Sequence, residues 1–192
     1  MNKISNYLKK SADTIKSLDF FKNKIVSISN EIFKASKNGN KILVAGNGGS
    51  CSDAEHFVGE LQCTYKKRSR KPLSAISLAS LPAAFTAWSN DFGYETFFKR
   101  QVEAHAKEGD ILFLISTGGG DEKSGASMSL VHAAKEAKKR KLKLISLIGK
   151  SGGLLQNMSD IEITVKSDIT SHIQEAHITL LHCICEQLEH KF

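Results

Sequence analysis

The stretch KILVAGNGGSCSDAEHFVGE, Lys41 to Glu60, passes from an apolar run through a turn of glycine and serine into a helix-like segment. Its first part, KILVAG (41–46), reads as a buried strand, and four runs further on repeat that character: LSAISL (73–78), ILFLIS (111–116), LKLISLIG (142–149) and IEITVKS (161–167). Most are continuously apolar rather than alternating, as a sheet covered on both faces requires. Helix-like segments lie between them at about 50–64, 95–107, 124–141 and 171–190. Strands alternating with helices predict an α/β domain with a five-stranded, largely parallel sheet. Before the first strand, residues 1–38 are helical in character, and Phe20, Phe21, Ile25, Ile28, Ile32 and Phe33 form an apolar stripe that needs cover. A helical preface outside the sheet is expected to pack on another copy, so the chain is expected to be a homo-oligomer. With two prolines and no internal repeat, residues 1–192 read as one domain, a helical segment (1–38) joined to an α/β core (39–192).

Composition narrows the function classes. No apolar run approaches the ~20 residues of a membrane span, and the N-terminus has no apolar core of a signal peptide. Neither membrane nor secretion is expected, and the cytoplasm is the default. The four cysteines, Cys51, Cys63, Cys183 and Cys185, form no C-x-x-C pair and no disulfide framework. The net charge is +7, with basic runs at YKKRSRK (65–71) and KEAKKRKLK (135–143). These read first as solvated surface and second as attraction for an anionic metabolite. Nucleic acid is not expected, because aromatics are 7% and none interleave with the basic runs.

Polar loops follow every strand: GNGGS, ASLP, STGGGDEKSG, GKSGG and DITS. All fall at strand C-terminal ends, the edge of an open α/β sheet where ligands bind. The glycine- and serine-rich ones offer backbone N–H groups and hydroxyls at helix N-termini, which suits phosphate. Nucleotides fit poorly. A G-x-G-x-x-G fingerprint needs glycine where Cys51 stands, and ISLAS (76–80) lacks the ribose-binding carboxylate. No G-K-[ST] follows the first loop, which removes a Walker A motif.

His56 and Glu60 stand i, i+4 on the helix after GNGGS and so share a face. In the last helix, Gln174, Ile178 and His182 follow one stripe, with His177 beside Gln174. Each feature alone has an ordinary reading, a surface pair and a core histidine. Taken together, His56, Glu60, Gln174 and His182 suit either an N/O site for zinc or a similar ion, or an acid–base pair working next to a carbonyl.

GNGGSCSDAEHFVGEL, SNDFGYETFFKRQVEA and IQEAHITLLHCICE resemble, in that order and over nearly the whole chain, the phosphoheptose isomerase branch of the sugar isomerase (SIS) family. The resemblance implies a three-layer α/β SIS domain, a cytoplasmic homotetramer with sites between subunits, and a role in heptose synthesis for lipopolysaccharide or capsule. It implies conversion of sedoheptulose 7-phosphate to D-glycero-D-manno-heptose 7-phosphate through an enediol, with Glu60 and His182 as the acid–base residues. Where zinc is present, one per subunit, His56, Glu60, Gln174 and His182 would hold it. Asn47, Gly48, Gly49 and Ser50 of the first loop, Ser116, Thr117 and Ser124 of the third, and Gln174 would hold the substrate.

Three departures stand out. The family's third loop, S-T-S-G-x-S, is here the longer STGGGDEKSGASMS (116–129), with Gly118 at the middle serine and Asp121 near the expected phosphate; Ser124 or Ser127 could supply the lost hydroxyl. Leu81 replaces the usual acid after strand two, and Thr64 the usual arginine after the helix glutamate. Chemistry is retained better than the substrate frame, which leaves open an isomerase for a different sugar phosphate. A SIS protein that binds the replication initiator DnaA offers a non-catalytic alternative, but by the resemblance it has lost the glutamate and histidine that this chain keeps.

Overall fold

The computed structural model describes residues 2–192. Its elements are α1 (Lys3–Lys16), a 3-10 turn (Ser17–Phe21), α2 (Lys22–Lys37), β1 (Ile42–Gly46), α3 (Gly49–Gln62), β2 (Ala75–Ser77), α4 (Pro82–Phe92), a second 3-10 turn (Tyr94–Thr96), α5 (Phe97–His105), β3 (Ile111–Ser116), α6 (Met128–Lys139), β4 (Lys143–Gly149), α7 (Gly153–Met158), β5 (Ile161–Val165) and α8 (Thr170–Glu189). The strands order as β2-β1-β3-β4-β5, and all four neighbouring pairs are parallel. The five expected strands and the three-layer α/β architecture are therefore present.

Successive strand residues point to opposite faces, and in β1 both faces are buried. Ile42 and Val44 enter one core with α2, α3 and α8, where Phe57 meets Phe113 at 5.1 Å between ring centroids. Leu43 and Ala45 enter the other, with Phe97, Phe98 and Val102 of α5 and Leu130 and Val131 of α6. Burying such side chains contributes about 1.5–3 kcal/mol each, so a single polar substitution in these strands is costly on either face. The chain leaves β1 toward β2 and returns to β3 on β1's other side. That reversal opens a crevice between the loops after β1 and β3.

Several expectations change. The stripe on α2 packs inside the chain, since Ile25, Ile28 and Ile32 are buried with α8 rather than left for a neighbour. Phe20 is 79% exposed, because it belongs to the tighter 3-10 turn, whose pitch puts it out of phase with α2. The third helix-like segment begins at Met128, not near 124: Ser127 takes a left-handed conformation (φ 57°), and the residues before it form turns. At the sheet edge, β2 shrinks to three residues. Two helices, α4 and α7, were not expected. α4 starts with Pro82 at its first turn and buries none of its residues, and α1 likewise buries none. No helix among the described residues is long and apolar enough to cross a membrane.

Candidate active site

The first loop turns too tightly for any residue but glycine at its start: a Cβ on Gly46 would lie 2.3 Å from the Ser50 carbonyl oxygen. Gly48 caps α3 with φ 56° and no side-chain hydrogen bond, so the first N–H groups of that helix face the crevice side without a side-chain acceptor. Ser50 is buried behind this turn. Two turns on, His56 and Glu60 face together, with His56 Nε2 3.4 Å from Glu60 Oε1.

His182 reaches the same point from α8. Its Nε2 lies 3.1 Å from His56 Nε2, close enough for one imidazole to donate to the other. Tyr65, in the loop after α3, stacks on the outer side of the His182 ring at 5.9 Å and 25°. The other α8 histidines are different. His177 is fully buried, bonded through Nε2 to the Ile148 carbonyl at 3.2 Å. Burial pushes its pKa down to about 4, and the carbonyl only partly opposes this, so it is a neutral core group. His172 is buried edge-on to Tyr7 of α1.

Across the crevice, Ser116 is buried at the end of β3, where its Oγ accepts from the Gly119 N–H at 3.0 Å and meets Ser127 Oγ at 3.2 Å. Ser127, at the N-terminus of α6, is thus the hydroxyl that adjoins Ser116 after the long insertion. Ser124 sits in the exposed tip and donates to Asp121 Oδ2 at 3.0 Å. The Lys123 N–H satisfies the other Asp121 oxygen at 2.9 Å, so the loop's own donors occupy the carboxylate near the expected phosphate. Thr117 is half-buried beside them. Asn47 joins the two sides: its amide donates to Ser129 Oγ at 3.3 Å and its oxygen accepts from Tyr94 Oη. A cleft of about 530 Å³ lies between the third and fourth loops, lined by Gly118, Asp121, Lys123, Ser124 and Lys150 among others, and none of His56, His182 and Glu60 is in its walls.

The fit to a metal ion is specific but incomplete. Two ligands about 2.05 Å from a tetrahedral zinc stand about 3.3 Å apart. The His56–His182 and His56–Glu60 separations, 3.1 and 3.4 Å, match that spacing. They form an open chain centred on His56, and no closed group of three or more His, Cys, Asp or Glu side chains occurs among the described residues. Gln174 is not brought in. It stands two turns before His182, about 12 Å along the axis, with its amide against Gly49, where an added Cβ would lie 2.5 Å from Nε2. The donor types of His56, Glu60 and His182 suit zinc. On the next turn toward the loop, half-buried Asp53 has its pKa raised to about 6 by desolvation, against the pull of His56, and its Oδ2 has no partner. Tyr65, Tyr94 and Ser129 carry no spacing signal, since their partners come from distant elements and only the fold puts them here; Asp53, three residues before His56 on the same helix, was open to a spacing argument.

Fold and site define a doubly wound α/β domain with a Glu–His–His cluster near two glycine- and serine-rich loops. The comparisons carry this to a family. The chain belongs to the SIS domain family, whose sequence pattern spans residues 6–149, and within it to the phosphoheptose isomerases. It is 45% identical to a probable phosphoheptose isomerase of Thermoplasma acidophilum, over 88% of this chain and 89% of that one. It is 42% identical to a phosphoheptose isomerase of Helicobacter pylori strain P12, over 92% and 88%. A phosphoheptose isomerase structure from Francisella tularensis superposes with a TM-score of 0.90 at 36% identity, covering 98% and 97% of the two chains.

Proposed function

We propose that this protein is an aldose–ketose isomerase that converts sedoheptulose 7-phosphate to D-glycero-D-manno-heptose 7-phosphate. The observation that carries the reading is the meeting of Glu60, His56 and His182 from two helices, beside a crevice bounded by the first and third loops, in a chain whose relatives are named for this reaction. With the sugar open, the Glu60 carboxylate takes a proton from C1. The C–H electron pair forms the C1–C2 double bond as the C2 carbonyl oxygen becomes the enediol oxygen. His182 moves a proton from the C1 hydroxyl toward that oxygen, and Glu60 returns its proton to C2, leaving the aldehyde at C1. The N-termini of α3 and α6, with Ser116, Thr117 and Ser127, receive the phosphate.

His56, Glu60 and His182, with Gln174 turned inward, would hold zinc, which would polarise the carbonyl and stabilise the enediolate. The reading includes a homo-oligomer, a tetramer, since neither α1 nor α4 has a fully buried residue in the single chain. The side chains of His56 and Glu60 are 44% and 23% exposed, and a neighbouring copy would shield them from water. A cytoplasmic place in heptose supply for lipopolysaccharide or capsule completes it. The test is proton NMR with sedoheptulose 7-phosphate in deuterated water. Aldose signals, or deuterium entering at C1, support the reading; folded protein with zinc supplied and no exchange refutes it for this sugar.

A further inference from the structure

The loop between α3 and β2, residues 63–74, has no helix or strand of its own, yet it holds Tyr65 against His182. The Glu189 carboxylate, at the end of α8, accepts the backbone N–H groups of Tyr65 at 3.2 Å, Lys66 at 3.0 Å and Lys67 at 3.0 Å. Burial works against its charge, but these donors and Arg70 outweigh it and hold the carboxyl below its ordinary range. Arg70, a member of the basic run read as solvated surface, is only 2% exposed at its side chain and lies with Nε 3.4 Å from Glu189. Its guanidinium also donates to the carbonyls of Leu61 at 3.0 Å and Lys71 at 2.9 Å, and to that of Glu60 itself.

One buried ion pair therefore ties the backbone of the residue that carries the carboxylate to the helix that carries His182. We propose that Arg70 and Glu189 are positioning residues, a clamp that seats Tyr65 on the His182 ring and sets α3, with His56 and Glu60, against His182 of α8. In its catalytic consequence this rests on the isomerase reading above. A clamp of this kind acts on geometry, and displacements of about 1 Å at a reacting group cost on the order of 100-fold in rate.

Glu189→Gln puts an NH2 group among the three N–H donors and removes the charge opposite Arg70. Tyr65→Ala removes the ring alone and leaves the ion pair intact, so it tests the seat where Glu189→Gln proves too unstable. Both variants are expected to lower kcat on sedoheptulose 7-phosphate by roughly 10- to 100-fold with KM within about twofold, and Tyr65→Phe, the conservative replacement, to restore it. The second readout needs no turnover. The His182 Hε1 proton, assigned by its loss in His182→Asn, should move downfield in Tyr65→Ala and Glu189→Gln as the shielding ring leaves, and stay in place in Tyr65→Phe. An unmoved resonance in Glu189→Gln overturns the clamp, as does a fall in its stability with kcat unchanged; the shift in Tyr65→Ala calibrates how far loss of the ring moves the signal. If the wild type turns over no sedoheptulose 7-phosphate, the functional reading fails, and the His182 resonance decides the clamp alone.

Discussion

Glu60→Gln separates chemistry from structure, because the geometry gives the two effects different sizes. The side chain keeps its length and loses only its charge and basicity. Its ion-pair partner His56 is 3.4 Å away and 44% exposed, and pairs this open to water contribute about 0.5 kcal/mol or less. In a chain of this size each kcal/mol moves Tm by about 2–4 °C, so the variant should melt within about 2 °C of the wild type. A positioned base is worth about 10²–10⁴ in rate, about 3–5 kcal/mol of barrier. The assay is conversion and C1 deuteration of sedoheptulose 7-phosphate followed by NMR, beside a thermal melt of the same preparation. A kcat within about tenfold of wild type would remove Glu60 as the proton carrier. A Tm loss above about 5 °C would make it a structural residue instead.

Three other outcomes follow from the same structure. Gly119→Ala should destabilise by more than about 2 kcal/mol in chemical denaturation, because φ is +71° and the new Cβ would fall 1.9 Å from the Gly152 carbonyl oxygen. His177 has a folded pKa of about 4 against an ordinary value of 6.5, so the unfolded chain binds the extra proton between those values. Its contribution is complete above pH 6.5 and is lost as pH falls toward 4, on the order of 3 kcal/mol. Asp53, raised to about 6, works in the opposite sense over part of that window. The difference in unfolding free energy between wild type and His177→Gln is therefore the quantity to measure, and it should flatten above pH 6.5. Zinc at about 100 times its Kd should raise the wild-type Tm by about 5–10 °C, from about 2.7 kcal/mol of binding linkage. His56→Ala, which removes the central member of the ligand chain, should abolish the rise.

The fold was largely legible because its strands are buried on both faces, so Ile111 to Ile115 read as one apolar run wherever they point. Helix α4 was not, since in PAAFTAWSNDF only Ala84 and Trp88 pack against the core, and neither is fully buried, which leaves an inward stripe too short to read. Phe20 misled for a local reason: the 3-10 turn shifts the phase by which a helical stripe is read. At the site, His56 and Glu60 announce themselves by i, i+4 spacing, while their approach to His182 is a long-range fact that motif resemblance carried and periodicity did not. The hydroxyl that meets Ser116 was open between two serines. The choice of Ser127 depends on where α6 begins, and a left-handed residue ahead of a helix leaves no mark in composition. Arg70 looked like one more surface cation, because nothing in a run of lysines and arginines tells which member turns inward.

The long third loop is pinned at its base and closed on itself at its tip. Gly119 and Gly120 offer their carbonyls to the N–H groups of Leu155 and Leu154, Ser116 meets Ser127, and Asp121 N–H bonds the Ala126 carbonyl at 3.0 Å. Residues 121–126 hang outside that stitching, all exposed. The tip, which walls the cleft between the third and fourth loops, is thereby mechanically insulated from the hydroxyls at the loop's base. A dye at Glu122, or a short peptide spliced after it, would sit in the wall of that cleft without disturbing the hydroxyls at the loop's base, giving a ready-made attachment point for watching the cleft fill.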